Sequence, residues 1–307
     1  MTEISQSLLQ EHFGERLQQN VALARYSTAR VGGPARWFAE ACSADELAAD
    51  AAFLWQNNVE FRLLGNGSNM LISDDGWHGF VLFNQAKTIR INENGEHPTV
   101  YVESGAALTT LVRVVTEAAM SGLEWAAGIP GTVGGAVYGN AGAHGKDICQ
   151  SLLMAEILHR SKGLLSLNCD GMGFTYRSSA FKREPGNGVI LSATFNLTPS
   201  TREAVQARVN EINEKRRNAQ PAGASLGSTF KNPTGDYAGR LIEAAGLKGT
   251  RIGGVEISPV HGNFLINDGS GCAEDYRQLI ALVQKTVREK FAVELQLEIE
   301  LFGDWKK

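Results

Sequence analysis

The chain has 307 residues, 43% of them hydrophobic and 20% charged; it exceeds the size one core usually serves, so two or three globular domains without a disorder signature are expected. A net charge of −4 gives no long-range pull on nucleic acid or an anionic membrane surface, so an anionic ligand has to be held locally. No stretch reaches the ~20 apolar residues of a spanning helix, and the N-terminal run lacks a basic-then-apolar signal layout, so a cytoplasmic protein with no nucleic-acid partner and no membrane insertion is expected.

Ser43 followed by Glu46 reads as a capping box for a helix over 44–56. A strand over 59–64 runs into Gly65, Asn66, Gly67, Ser68 and Asn69, after which Met70, Leu71 and Ile72 resume the extended pattern. A short strand at 100–102 precedes Leu108, Leu111, Val112, Val115 and Ala119 at helical spacing, with Gly122 ending the run. Gly128, Ile129, Pro130, Gly131, Thr132, Val133, Gly134, Gly135 and Ala136 follow, too glycine-rich for a regular helix and too apolar for a solvated linker, which predicts a buried loop.

Strands at 152–158, 164–167 and 188–197 make a β-rich stretch. Ser200 with Glu203 repeats the capping box, Val205, Val209 and Ile212 give the next helix one apolar stripe, and a domain boundary falls near Pro199. Helices at 237–245 and 273–290, the second with Tyr276, Leu279, Ile280, Val283 and Val287 on one face, combine with strands at 263–267 and 293–302 into an α+β domain. Cys42, Cys149, Cys169 and Cys272 stand far apart without a CxxC pair and read as small buried hydrophobes; the six histidines fall singly, so no metal is expected.

Two glycine loops suit a diphosphate, because glycine lets backbone N–H groups approach and turn toward an anion. Neither loop has the GxGxxG or GxxxxGKS pattern, so Rossmann and P-loop readings are disfavoured. Taken with Tyr176-Arg177, the run Gly227-Ser228-Thr229-Phe230-Lys231-Asn232-Pro233 and the terminal Glu298-Ile299, the two loops resemble the UDP-N-acetylenolpyruvoylglucosamine reductase family in order and spacing, over about residues 20–303. The opening Ser27-Thr28 and Arg30-Val31-Gly32-Gly33 match that family too.

The resemblance implies an α+β fold: a two-subdomain FAD-binding module of the vanillyl-alcohol oxidase and p-cresol methylhydroxylase type over 1–200, with subdomains of about 20–80 and 81–200, and an α+β substrate domain over 201–307. It implies noncovalent FAD held by Ser27, Thr28, Gly65 to Asn69 and Gly128 to Ala136, and NADPH as co-substrate. The reaction implied is reduction of a UDP-sugar enolpyruvyl ether in peptidoglycan precursor synthesis, with Ser228 as proton donor, Arg177 clamping the substrate carboxylate and Glu298, rather than Glu294 or Glu300, beside the enolpyruvyl group. Tyr176, Arg216, Lys231 and Asn232 are implied substrate contacts. Ala219 stands where some relatives carry lysine, His261 reads as structural, and the compact run 221–302 resembles the family's shorter class, without a tyrosine-bearing lid. Two alternatives stay open: an oxidase or dehydrogenase of the same flavin superfamily, since fold does not dictate chemistry, and a UDP-sugar sensor without catalysis. The sequence sets no oligomeric state.

Overall fold

Five antiparallel strands form the largest sheet, in the order Gly163–Leu167, Leu152–His159, Gly188–Asn196, Thr99–Glu103 and Ile89–Asn92. The computed structural model describes residues 5–94 and 97–305. Gly188–Asn196 is covered on both faces, so it reads as an apolar run rather than a strict alternation. Its pairing with Leu152–His159 shifts register by one residue at Leu191, between the Ile157↔Ile190 and Glu156↔Ser192 pairs. That bulge changes parity: Val189 and Leu191 pack with Leu47, Ala51 and Leu54, whereas Ala193 and Phe195 join Val133 and Val137.

The chain divides into two compact units, both discontinuous in sequence. The first comprises the described residues of Met1–Gln18, Trp37–Gly65 and Gly79–Glu214, the second those of Gln19–Arg36, Asn66–His78 and Lys215–Lys307. The division on the C-terminal side therefore falls at Glu214, not near Pro199, because Val205 and Val209 are buried in the first unit's core with Ile212 packed against it. In the second unit, Leu265–Asn267 pairs with Val255–Ile257 and that strand with Arg251–Ile252, all antiparallel, while Glu300–Phe302 lies parallel to Met70–Ile72. The helix Ala273–Phe291 buries Tyr276, Leu279, Ile280, Val283 and Val287, the apolar stripe its sequence spells out.

The helix Ala44–Gln56 has its expected bounds, with the Ser43 hydroxyl accepting the Glu46 N–H at 3.1 Å. The strand expected from 59 starts at Phe61. The helix Leu108–Glu117 stops earlier than expected; Ala119, at φ 57°, reverses the chain before Gly122. The 18-residue helix Arg202–Ala219 is capped by Thr201, whose hydroxyl takes the Ala204 N–H at 3.3 Å, rather than by a Ser200–Glu203 box.

One cysteine expectation is corrected: Cys149 and Cys169 form a disulfide, with Cα atoms 5.1 Å apart, and Cys42 is exposed. The antiparallel pairing Ala155↔Leu167 brings the two cysteines together at the open end of its hairpin, a proximity invisible in their spacing. Among the described residues, no three His, Cys, Asp or Glu side chains gather as a metal site, and no helix is long and apolar enough to cross a membrane.

Glu103, 7% exposed, ties the end of its strand to two other segments by accepting the Ala44 N–H at 2.9 Å and the Thr88 N–H at 2.8 Å. Burial works against its charge, yet these N–H groups hold the carboxyl below the usual glutamate range. Glu103→Ala leaves both donors unpaired, at about 1–3 kcal/mol each, and should lower the urea midpoint clearly. With a depressed folded pKa, the stabilising contribution is present above the unfolded value of about 4.3 and lost as pH falls through the folded one. Urea titrations should therefore show the parent losing stability between about pH 5 and 3 more steeply than Glu103→Gln.

Candidate active site

The first glycine loop starts where the strand Phe61–Leu64 ends. Gly67 holds φ +56°, and a Cβ there would lie 2.1 Å from the Tyr26 carbonyl oxygen. The Gly67 carbonyl accepts the Thr28 N–H at 3.3 Å, so the opening motif and the glycine loop adjoin within the second unit. Ser27, buried at 6%, accepts the Ala29 N–H on its hydroxyl at 3.3 Å. Asn69 anchors the far end: its side-chain amide donates to the Glu298 carbonyl at 3.1 Å, and its own carbonyl accepts the Glu300 N–H at 2.8 Å. Among the described residues, the N–H groups of Asn66, Gly67 and Ser68 meet no backbone carbonyl. A loop pinned at both ends, with donors left over, fits an anionic group such as a diphosphate.

Gly65 closes a segment of the first unit, and a Cβ on it would lie 2.7 Å from the Thr132 hydroxyl oxygen. Within the first unit, Thr132 of the second glycine segment thus lies against Gly65. Gly128 and Gly131 take φ +70° and +116°, and Thr132 then caps a helix, Val133–Gly139, by accepting the Gly135 N–H at 3.3 Å. A helix thus begins inside the segment expected to be a loop. Its glycines serve close approach: the Gly134 N–H donates to the Ser104 carbonyl at 2.8 Å, and a Cβ on Gly134 would lie 2.8 Å from that of Ser104. Burial is mixed rather than complete, with Thr132 and Ala136 buried, Ile129 half-buried, and Gly128, Pro130 and Gly135 exposed.

Tyr176 and Arg177 form the tip of a tight turn in the first unit, in which Thr175 and Ser178 exchange N–H···O bonds of 2.9 and 3.1 Å. Arg177 has φ +55°, uncommon for a side-chain-bearing residue. Its Nη2 donates to the Gly142 carbonyl at 2.7 Å, and its guanidinium lies 5.3 Å from the centroid of the exposed Tyr176 ring. Buried Asn140 supports the turn by donating to the Thr175 carbonyl at 3.2 Å while accepting the Cys149 N–H at 3.2 Å. The strained backbone therefore rests on a buried amide and, through Cys149, on the disulfide.

Ser228 and Glu298 meet in the second unit through Thr229, which is 2% exposed. The Thr229 N–H donates to the Asn263 carbonyl and its carbonyl accepts the Glu298 N–H, both at 2.9 Å. Ser228 bridges Phe264 and Phe230 bridges Leu297, so the 228–230 segment is held on both sides. The regular strand expected over 293–302 is only Glu300–Phe302; the chain bends at Glu298 and Ile299, although Leu295 and Ile299 still point inward. Of the neighbouring carboxylates, Glu294 is exposed and pairs with Arg288 at 3.6 Å.

The Asn232 side-chain oxygen accepts the Ala238 N–H at 3.1 Å, committing half its amide to the start of the helix Ala238–Ala244. Lys231 donates its N–H to the Gln296 carbonyl at 2.8 Å. Arg216 lies on the long helix with its guanidinium pushed down by burial, the environment of a cation that gains from an anionic partner. His261 is pushed down as well, burial being the main cause, and its Nδ1 accepts the Asn263 N–H at 3.2 Å. That bond requires an unprotonated Nδ1 and assigns His261 to the framework. Sequence reasoning missed Asn140 and Asn263, each one polar residue beside a turn or element end, whereas Thr132, expected among the flavin contacts, is also a helix cap, a position that carries a sequence signal.

Residues 219–302 match the family model described as the C-terminal domain of UDP-N-acetylenolpyruvoylglucosamine reductase, and residues 35–165 that of an FAD binding domain. A UDP-N-acetylenolpyruvoylglucosamine reductase of Chloroflexus aggregans is 40% identical over 288 residues, 93% of this chain and 97% of that protein. One from Staphylococcus aureus is 36% identical over 307 residues, 99% of this chain and 98% of that protein. The crystal structure of the enzyme from Thermus caldophilus superposes with a TM-score of 0.79 at 34% identity, covering 94% of this chain and 99% of that one.

Because a Cβ at Gly67 would collide with backbone, not a movable side chain, Gly67→Ala should lose most of its flavin on purification. The ratio of flavin to protein absorbance measures the loss, and an unchanged far-ultraviolet dichroism spectrum would place it in the loop.

Proposed function

Because this chain belongs to the family of UDP-N-acetylenolpyruvoylglucosamine reductases, we propose that it is an FAD-dependent oxidoreductase that reduces the enolpyruvyl ether of UDP-N-acetylenolpyruvoylglucosamine to the lactyl ether of UDP-N-acetylmuramate in peptidoglycan precursor synthesis. The observation that carries this reading is the linkage of Ser228 to Glu298 through the two-sided bonding of Thr229. A serine and a carboxylate on adjoining, bonded segments suit a proton donor and a group that orients what it protonates.

FAD, when bound, supplies the hydride chemistry, with NADPH as the reductant of the first half-reaction. The N–H groups of the Asn66 to Ser68 loop, which meet no backbone carbonyl among the described residues, suit the FAD diphosphate, and Gly65, Asn69, Ser27, Thr28 and the segment from Gly128 to Ala136 are the other proposed flavin contacts. Addition of hydride to the terminal enolpyruvyl carbon throws negative charge onto the adjoining carbon and its carboxylate. Ser228 gives its hydroxyl proton to that adjoining carbon; so weak an acid suits so basic a partner. Arg177 stays protonated at any working pH and clamps the carboxylate, and Glu298 orients the enolpyruvyl group. Lys231 and Arg216 suit the substrate diphosphate, while Tyr176 and the uncommitted amide N–H groups of Asn232 suit the sugar or the uracil. The absence of a lid-length insertion over 221–302 fits the family's shorter class, and the cytoplasm, where NADPH and sugar nucleotides are found, is the proposed location.

Mixed anaerobically, the protein should be bleached by NADPH and recoloured by the enolpyruvyl sugar nucleotide; recolouring by oxygen alone would mark an oxidase. In stopped flow, Ser228→Ala should keep the bleaching step and slow recolouring by about 100-fold or more, the scale of losing a general acid. Ser228→Cys, which keeps a donor, should lie between the two. Equal slowing of both half-reactions would remove Ser228 from the proton-donor role.

A further inference from the structure

The segment carrying Ser228 bears no regular secondary structure. Gly227, with φ +74°, has no atom within 4 Å of where its Cβ would be, while Leu226 before it is buried. On the C-terminal side, support comes from Asn263, 3% exposed. Its side-chain Oδ1 accepts the Phe230 N–H at 2.9 Å, its Nδ2 donates to the Phe230 carbonyl at 2.8 Å, and its own carbonyl accepts the Thr229 N–H at 2.9 Å. One asparagine thus bonds three of the four backbone polar groups of Thr229 and Phe230, both poles of Phe230 among them, and the fourth, the Thr229 carbonyl, goes to Glu298. Asn263 is itself held, since its N–H donates to His261 Nδ1 at 3.2 Å and the next residue, Phe264, bridges Ser228.

We propose that Asn263 is the positioning residue for the Ser228 hydroxyl, a role that rests on the reading of Ser228 as proton donor. A primary amide is the group that fits, because one side chain supplies both an acceptor and a donor at the spacing of one residue's N–H and C=O. A leucine of similar volume supplies neither and leaves two buried backbone groups unpaired. Aspartate keeps the acceptor for the Phe230 N–H and loses the donor to its carbonyl. The segment then gains freedom at Phe230, two residues from the reacting oxygen, and misplacement of about 1 Å there costs on the order of 100-fold in rate.

The test uses the flavin-loaded protein in five forms: parent, Asn263→Asp, Asn263→Leu, Ser228→Ala and the double variant Ser228→Ala/Asn263→Asp. Amide hydrogen exchange should be faster at Phe230 in both Asn263 variants, more so in leucine, while the helix Ala273–Phe291 keeps its parental protection. In stopped flow, Asn263→Asp should leave reduction by NADPH unchanged and slow reoxidation by substrate about tenfold, a fraction of the full misplacement effect, with substrate KM unmoved. Asn263→Leu should be slower still, and where it does not fold the aspartate form carries the test. The double variant should reoxidise no more slowly than Ser228→Ala alone, because a residue acting through Ser228 has nothing left to position. Independent multiplication of the two losses, equal slowing of both half-reactions, or unchanged exchange at Phe230 would each overturn the proposal. Ser228→Ala with parental reoxidation would instead overturn the proton-donor reading, and would do so whatever the exchange at Phe230 shows.

Discussion

The peptide groups around Thr229 set how the segments of the second unit are joined. An extended segment held on one side has a free edge and slides; this one gives its N–H to Asn263 and takes the Glu298 N–H on its carbonyl. Both bonds are buried, where an unpaired backbone group costs most, so neither neighbour can shift alone without breaking one. Ser228 and Glu298 are 70 positions apart in number yet are fixed by consecutive links through one residue. The Asn69 bonds to Glu298 and Glu300 then extend the arrangement to the glycine loop, and the Gly67 carbonyl extends it to Thr28. In this unit, loop, serine segment and glutamate segment form one hydrogen-bonded series.

Glycine does two different jobs in the two loops. At Gly67 the conformation itself excludes a side chain, through a positive φ and a carbonyl 2.1 Å from the Cβ position, in a turn whose N–H groups from Asn66 to Ser68 meet no backbone carbonyl among the described residues. At Gly134 the φ is ordinary, and what matters is contact with Ser104, which lets a helix start directly against a strand end. Only in the first arrangement are three successive N–H groups left without a backbone carbonyl among the described residues. A glycine-rich sequence does not tell the two apart, which is why the segment beginning at Gly128 reads as a loop and contains a helix.

The capping box gave the Ala44–Gln56 helix, periodicity gave the Tyr276 to Val287 stripe, and residue type gave four of the five strands of the large sheet, with Ile89–Asn92 drawing no prediction. These signals failed where an element is short or where tertiary pairing sets the conformation. The strands Pro34–Ala41 and Trp77–Asn84 drew no prediction, the second because Phe80, Val81 and Leu82 are all fully buried and so show no alternation. Glu298 was expected in a strand and lies in a bend, because the backbone follows its bonds to Thr229 and Asn69 rather than a ladder of its own. The motif residues were legible as residue types in order; the asparagines that hold them were not, since a single buried amide has neither a period nor a spacing.

Arg177 illustrates what such hidden supports accomplish. A residue with a side chain gains nothing from φ +55° in isolation, where it costs on the order of 1 kcal/mol. The turn keeps it there because Thr175 and Ser178 close the ring on either side and Asn140 fixes the Thr175 carbonyl. The result is a guanidinium whose one edge is spent on the Gly142 carbonyl at 2.7 Å, leaving orientation rather than reach as what the turn determines. A lysine on a relaxed loop would keep the charge and lose the planar fork. The strained turn is thus tied to the buried amide of Asn140, which also accepts the N–H of the disulfide-bonded Cys149.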